Sequence, residues 1–347
     1  MPEPVAATID CDAHCAPESI DALLPYFDDY WREYVADAGV QLSPTLNGAY
    51  PPGARTSGDP VPTSAAALAG ALLDRDGARY AILNCLSAFD TSRNAYFEAA
   101  MAKAINDWLR AEWLDRDERL RASLVVPTLD AEAAVTEIDR IGADRRFVQV
   151  LLPVRSDARY GQGRYHPIFE AAERHGLAVA LHAWGRAGNA PTGSGFTHHY
   201  IEDYLSNSQL IVQAQLTSLV SEGVFDRFPA LRVALLECGF SWLPFLLWRL
   251  DKDWKAVWRE VPWLKSKPSD YVYRHVRATT QPAQLPADPV QRAEAAELVR
   301  ARDILMFASD HPHDHGDGGE ALLGVLDENA KDAVLRGNAA HFYSLEA

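Results

Sequence analysis

The sequence predicts an α/β protein, a distorted (β/α)8 TIM barrel with a long insertion after its first strand. Three observations lead there. Eight short apolar runs recur along the 347 residues, each bounded by polar or turn residues and followed by a helix-like stretch. Several of these runs are unbroken β-branched and leucine sequence without alternation, the pattern of strands covered on both faces. No G-x-G-x-x-G follows any run, so the dinucleotide signature of an open doubly wound sheet is missing. Strand and helix in alternation imply a parallel sheet, and eight repeats suit a closed barrel.

The first strand is "AATIDCDAH", Ala6–His14. After it, residues 15–75 form the insertion, rich in Pro, Gly and Ser around "LSPTLNGAYPPGARTSGDPVPTS". A stretch of that length beside a site reads either as a lid or as a disordered surface loop. Tyr26, Phe27, Tyr30, Trp31 and Tyr34 favour packing of its first half. The next strands are "YAILNCLS" (Tyr80–Ser87), "RASLVVP" (Arg121–Pro127) and "FVQVLLP" (Phe147–Pro153). Then come "AVALHAWG" (Ala178–Gly185), "LRVALLECG" (Leu231–Gly239), a weaker "YRHVRATTQP" (Tyr273–Pro282) and "ILMFASDHPH" (Ile304–His313). Between them, "DAEAAVTEIDRIG" opens on a capping Asp130 and closes on Gly142. "HPIFEAAERHGL" carries Pro167 near its start and Gly176 at its end. The whole chain, 1–347, reads as one such domain.

Hydrophobic residues at 48% and charged residues at 23% are the balance of a soluble globular protein. A formal charge of -15 argues against nucleic acid and against anionic membrane surfaces as partners. Four cysteines are too few for a disulfide framework in this length, and no signal peptide or membrane span is visible. A reducing, cytoplasmic setting and a small-molecule substrate are therefore expected.

The polar residues gather at strand ends. Asp12 and His14 share a face at the two-residue strand period, His182 lies near the end of the fifth strand, Glu237 ends the sixth and Asp310 the eighth. In a parallel barrel these ends converge on one rim, where active sites are built. Each residue alone fits a blander role: a core histidine, or a carboxylate capping a helix. Together they supply the donor types that zinc, manganese or iron accept, whereas carboxylates buried jointly without a cation would be costly.

The D-x-H of the first strand, "LHAWG", "ALLECGFSWLPFLLWRLD", "FASDHPH" and the closing "GNAAHFYSL" occur in one order from Asp10 to Leu345. In this the chain resembles the amidohydrolase-related metal-dependent hydrolases, a group of the amidohydrolase superfamily that includes ACMSD-type decarboxylases. The resemblance implies that Asp12 and His14 are the first-strand metal pair and that His182 is the fifth-strand ligand. It implies further that Asp310 binds metal and handles a proton, and that His313 takes part in the same turn. Where many relatives have histidine on the sixth strand, this chain has Glu237, as ligand or as acid–base group. His198, His199, His311 and His315 exceed the family's usual complement and could serve a second ion or the substrate. Arg155 and Arg164, past the fourth strand, could hold a substrate carboxylate through a bidentate fork. The resemblance also implies a homodimer, with the tryptophan-rich helix after Glu237 as a contact.

The expected activity is metal-dependent hydrolysis or non-oxidative decarboxylation of a small organic acid, amide, ester or lactone, using one or two divalent ions per chain. Two readings of other classes stand beside it. One is a non-heme (di)iron oxygenase that hydroxylates an apolar substrate; the other is a non-catalytic binding module on the same barrel.

Overall fold

The computed structural model describes residues 8–42, 61–87, 93–185, 189–190, 192–193, 195–316 and 318–346. Eight parallel strands run in sequence order around a barrel: β1 (Thr8–His14), β2 (Ala78–Asn84), β3 (Leu120–Val125), β4 (Phe147–Arg155), β5 (Ala178–Gly185), β6 (Val233–Leu236), β7 (Val276–Thr279) and β8 (Leu305–Met306). All nine residues of β4 are buried, as an apolar run enclosed by barrel interior and outer helices must be.

The helices form where local chemistry favours them. Asp130 accepts from the Glu132 and Ala133 amides and starts the helix Ala131–Ile141. Gly176, at φ +69°, ends the helix His166–His175 in the left-handed conformation that suits glycine. On the helix Ala95–Leu109, capped by Asn94, Phe97, Met101, Ile105 and Trp108 face the barrel at helical spacing. Burial of each such side chain stabilises the fold by about 1.5–3 kcal/mol.

The described part of the insertion packs on that helix. Trp31 and Tyr34, on the helix Asp29–Ala38, place their rings 5.4 and 5.2 Å from that of Phe97. The centre of the expected lid, residues 43–60, lies outside the described residues.

Several strand bounds differ from the sequence expectation, those of the sixth, seventh and eighth strands among them. Tyr273–His275 completes the helix Pro268–His275, so β7 starts only at Val276. The sixth strand stops at Leu236, because Glu237 (φ +53°) adopts left-handed backbone that cannot continue a strand; the eighth stops at Met306, and Asp310 (φ +57°) takes the same conformation in the segment beyond it. Both acidic residues therefore sit in turns beyond the strands, in conformations that cost about 1–3 kcal/mol each and that cluster at functional sites.

With only two residues in β8, the seam to β1 is closed by the segment 307–311 just past that strand. The Cys11 amide donates to Phe307 O (2.9 Å), the Asp310 amide to Asp12 O (3.0 Å) and the His14 amide to His311 O (2.8 Å). The turn that carries Asp310 is thus laced to the strand that carries Asp12 and His14.

Candidate metal centre

Asp12 and His14, two residues apart on β1, point the same way into the barrel. His182 reaches the same point from β5, where it pairs with Pro153 of β4 and Leu236 of β6. Asp310 arrives through the laced turn. All four are buried, and one ligand atom from each can be chosen so that all lie within 4.8 Å of one another. His14 Nε2 is 2.7 Å from Asp310 Oδ1 and 3.7 Å from Asp12 Oδ1; His182 Nε2 is 3.4 Å from Asp12 Oδ2. A second set, His14, Glu237, Asp310 and His313, meets the same criterion and shares two members with the first.

Unpartnered atoms mark the centre. Among the described residues, Asp12 Oδ2 and both ring nitrogens of His182 are buried without any hydrogen-bond partner. Leaving an acceptor and an imidazole in this state costs free energy that a cation bound between them removes. Two carboxylates and two imidazoles without a thiolate are donors that Mn²⁺, Zn²⁺ or Fe²⁺ accept. The residues fit a divalent ion.

The protonation of the surrounding groups follows from burial and proximity. Burial tends to raise the Asp310 carboxyl, but hydrogen bonds from His14, His313 and His315 outweigh it and hold the group well below the usual carboxylate range. Burial likewise disfavours a charged His313, yet its contacts with Asp310, at 3.3 and 3.4 Å, lift it to about 9. Glu237 is pushed well above the ordinary glutamate value, first by burial and then by the charge of Asp310. Asp10, one turn of the pleat before Asp12, is raised by burial to about 7. An anionic Asp310, a cationic His313 and a Glu237 that resists ionisation thus crowd one centre, with Asp10 raised beside it on β1.

The remaining expected residues fall into two groups. Glu237 and His313 join the centre: Glu237 Oε2 stands 3.9 Å from His182 Nδ1. His315 contacts Asp310 through Nε2 while its Nδ1 meets the Tyr204 hydroxyl at 3.0 Å. The expected second-ion histidines do not assemble. His198 and His199 are exposed at the start of the helix Tyr200–Leu205, where Glu202 folds back to accept the His198 amide and lies 3.6 Å from His199 Nδ1. His311 contributes backbone to the seam and belongs to neither ligand set. The guanidinium of Arg155 is buried, with its fork taken up by Asp203 (3.0 and 3.1 Å) and Asn207. Arg164 is exposed on the turn Gly163–Tyr165.

Sequence reasoning passed over Asn84, which donates to Asp12 Oδ1 at 2.8 Å. Its signal was available: a lone amide in the apolar run "YAILNCL".

The family model for amidohydrolases matches residues 9–345. This chain belongs to the amidohydrolase family. Among relatives of the amidohydrolase, gamma-resorcylate decarboxylase from Rhodococcus jostii is 27% identical over 173 residues, 47% of this chain and 51% of that protein. The chain thus spans about half the length of that curated relative. Solved structures share the fold over essentially the whole amidohydrolase chain. 5-Carboxyvanillate decarboxylase from Sphingomonas paucimobilis superposes with a TM-score of 0.71 at 21% identity, covering 99% of this chain and 100% of that one. Dihydroxybenzoic acid decarboxylase from Polaromonas sp. JS666, solved with bound manganese and the inhibitor 2-nitroresorcinol, gives 0.67 at 18% identity, with 98% and 97% coverage. Among its described residues, no helix of this amidohydrolase is long and apolar enough to cross a membrane.

Proposed function

We propose that this amidohydrolase is a metal-dependent decarboxylase of a small phenolic carboxylic acid. The observation that carries the reading is the convergence of Asp12, His14, His182 and Asp310, with the buried Asp12 Oδ2 and His182 nitrogens left for a cation. The names of the relatives supply the substrate class, and the manganese of one of them favours Mn²⁺ among the ions the donors accept.

Asp12, His14, His182 and Asp310 would hold the ion. When bound, it supplies a positive anchor for the substrate carboxylate and a neighbouring hydroxyl oxygen. In the reaction the bond between ring carbon and carboxylate breaks, its electron pair stays on the ring carbon, and that carbon takes a proton as CO₂ leaves. Glu237, 3.9 Å from His182, would deliver the proton, and His313, 3.3 Å from Asp310, would hold that carboxylate in its anionic form. Burial keeps water from competing for the carbon.

Partners and setting belong to the same proposal. Exposed Phe245 and Trp248, on the helix Leu243–Val257, offer an apolar face for a second copy. Four free, buried cysteines suit a reducing, cytoplasmic environment.

The test is CO₂ release from a panel of hydroxybenzoic and methoxybenzoic acids by Mn²⁺-loaded protein, with chelated protein as control. Decarboxylation that is lost on chelation, and lost in Glu237→Gln with metal content retained, is the expected result. Hydrolysis of aryl esters or lactones without any CO₂ release would overturn it.

A further inference from the structure

Three neighbouring strands each place an uncharged polar side chain among apolar neighbours: Asn84 on β2, Ser123 on β3 and Gln149 on β4, all fully buried. Ser123 and Gln149 are register partners, and Asn84 pairs with His14. Solvation cannot explain them. They connect instead into one line that begins at the carboxy-terminal helix Asn338–Tyr343. The Tyr343 hydroxyl donates to Gln149 Oε1 (2.8 Å), Gln149 Nε2 to Ser123 Oγ (2.9 Å), the Ser123 hydroxyl to Asn84 Oδ1 (2.5 Å), and Asn84 Nδ2 to Asp12 Oδ1 (2.8 Å).

The direction of this line is dictated by its last member. An ionised carboxylate only accepts, so Asn84 must present Nδ2 to Asp12 and turn Oδ1 to Ser123. Ser123 must then donate to Asn84 and accept from the Gln149 amide. Gln149 Oε1 is left to accept, and the Tyr343 hydroxyl gives it a donor. Each group has one permitted orientation, and together they deliver one N–H to one oxygen of Asp12.

A network serving only the core would satisfy both oxygens of the carboxylate it ends on. This one satisfies Oδ1 and leaves Oδ2 bare, 3.4 Å from His182 Nε2. We infer that Tyr343, Gln149, Ser123 and Asn84 form a directed chain of donors whose role is to position Asp12 as a metal ligand. The inference rests on the metal reading of the centre. It makes Asn84 the immediate positioning residue and Tyr343 the distal one, on a helix that supplies no ligand.

Titration of the full-length, metal-free protein with Mn²⁺, beside its thermal midpoint in chelator, tests this. Asn84→Leu should weaken Mn²⁺ binding by about 10–100-fold, the usual effect of removing a ligand's hydrogen-bond partner. Tyr343→Phe and Ser123→Ala, which remove one oxygen each, should weaken it in the same direction and shift the visible absorption of the Co²⁺-loaded protein while the chelated proteins stay folded. Those two variants carry the test if Asn84→Leu does not fold. Parental Mn²⁺ affinity and Co²⁺ spectrum in folded Tyr343→Phe and Ser123→Ala would overturn the inference and leave the metal centre standing. A parent that binds no Mn²⁺ or Co²⁺ would overturn both.

Discussion

His14 Nε2 stands 2.7 Å from Asp310 Oδ1, joining the first strand to the turn beyond the last. The contact is short because the backbone around it is already fastened, with the Asp310 amide on Asp12 O and the His14 amide on His311 O. The hydrogen bonds that close the barrel also bring the ligands together, but they are made by backbone, so single side-chain substitutions in the centre should separate loss of the ion from loss of the fold.

His182→Ala and His14→Ala should each lose bound metal and activity together, while the chains remain folded. Loss of a ligand should exceed the roughly 10–100-fold effect typical of its supporting residues. Metal analysis of the purified variants decides. Full metal content in His182→Ala would remove that residue from the centre.

Without metal, the same histidine is a liability. Both His182 nitrogens are buried and unpartnered, and an unsatisfied buried polar group costs about 1–3 kcal/mol. His182→Leu, close in volume, should therefore melt above the parent in chelator. Adding Mn²⁺ should raise the parent's midpoint by mass action, worth about 2.7 kcal/mol at a hundredfold excess over the dissociation constant, and leave the variant unmoved. Calorimetry with and without metal reads both halves.

Acid sensitivity should come in part from His275. Burial against Phe225 lowers its pKa below 6.5, and its Nδ1 meets the Leu231 carbonyl at 2.8 Å. The unfolded chain takes up this proton more readily than the folded one. Stability from this group is complete above pH 6.5 and drains away as pH falls towards the lowered folded value. His275→Asn, which can still donate to Leu231 O, should lose less stability than the parent between about pH 7.5 and 5. Urea unfolding at the two pH values measures it; equal losses would contradict the assignment.

Arg155 should matter for stability and not for substrate affinity. Removing it as Arg155→Met leaves Asp203 charged and buried, at a cost of about 3–5 kcal/mol. Arg155→Met combined with Asp203→Leu should recover most of that, whereas Arg164→Ala should leave unfolding unchanged. A raised KM in Arg155→Met with unaltered unfolding would return the residue to the substrate.

The sequence made the barrel legible because its strands are buried on both faces and read as unbroken apolar runs. Asp12 and His14 could be placed from the strand period, and His182 from its position near the end of an apolar run. Glu237 and Asp310 were legible as residues, though not as turns: nothing in "LLECG" or "FASDHPH" announces left-handed backbone at a non-glycine position. Surplus histidines misled for a related reason. His198 and His199 are exposed at a helix start where neither ring caps the helix and Glu202 accepts the His198 amide, while His315 reaches Asp310 because the turn folds back. Arg155 looked available because its partner, Asp203, lies 48 positions away and has no sequence signal of its own. Asn84, Ser123 and Gln149 each stand as a single polar letter inside an apolar word, a signal that marks them as unusual without showing that they join one another.

The two halves of the His14–Asp310 contact are 296 positions apart. At about 5–20 residues per second of synthesis, roughly 15–60 s separate their appearance on the ribosome. Through that interval the nascent polypeptide holds at most three of the four donors, Asp12, His14 and His182, and a truncated product ending before residue 310 never completes the set. On the metal reading, the ligand set is completed only when Asp310 joins the three donors made before it.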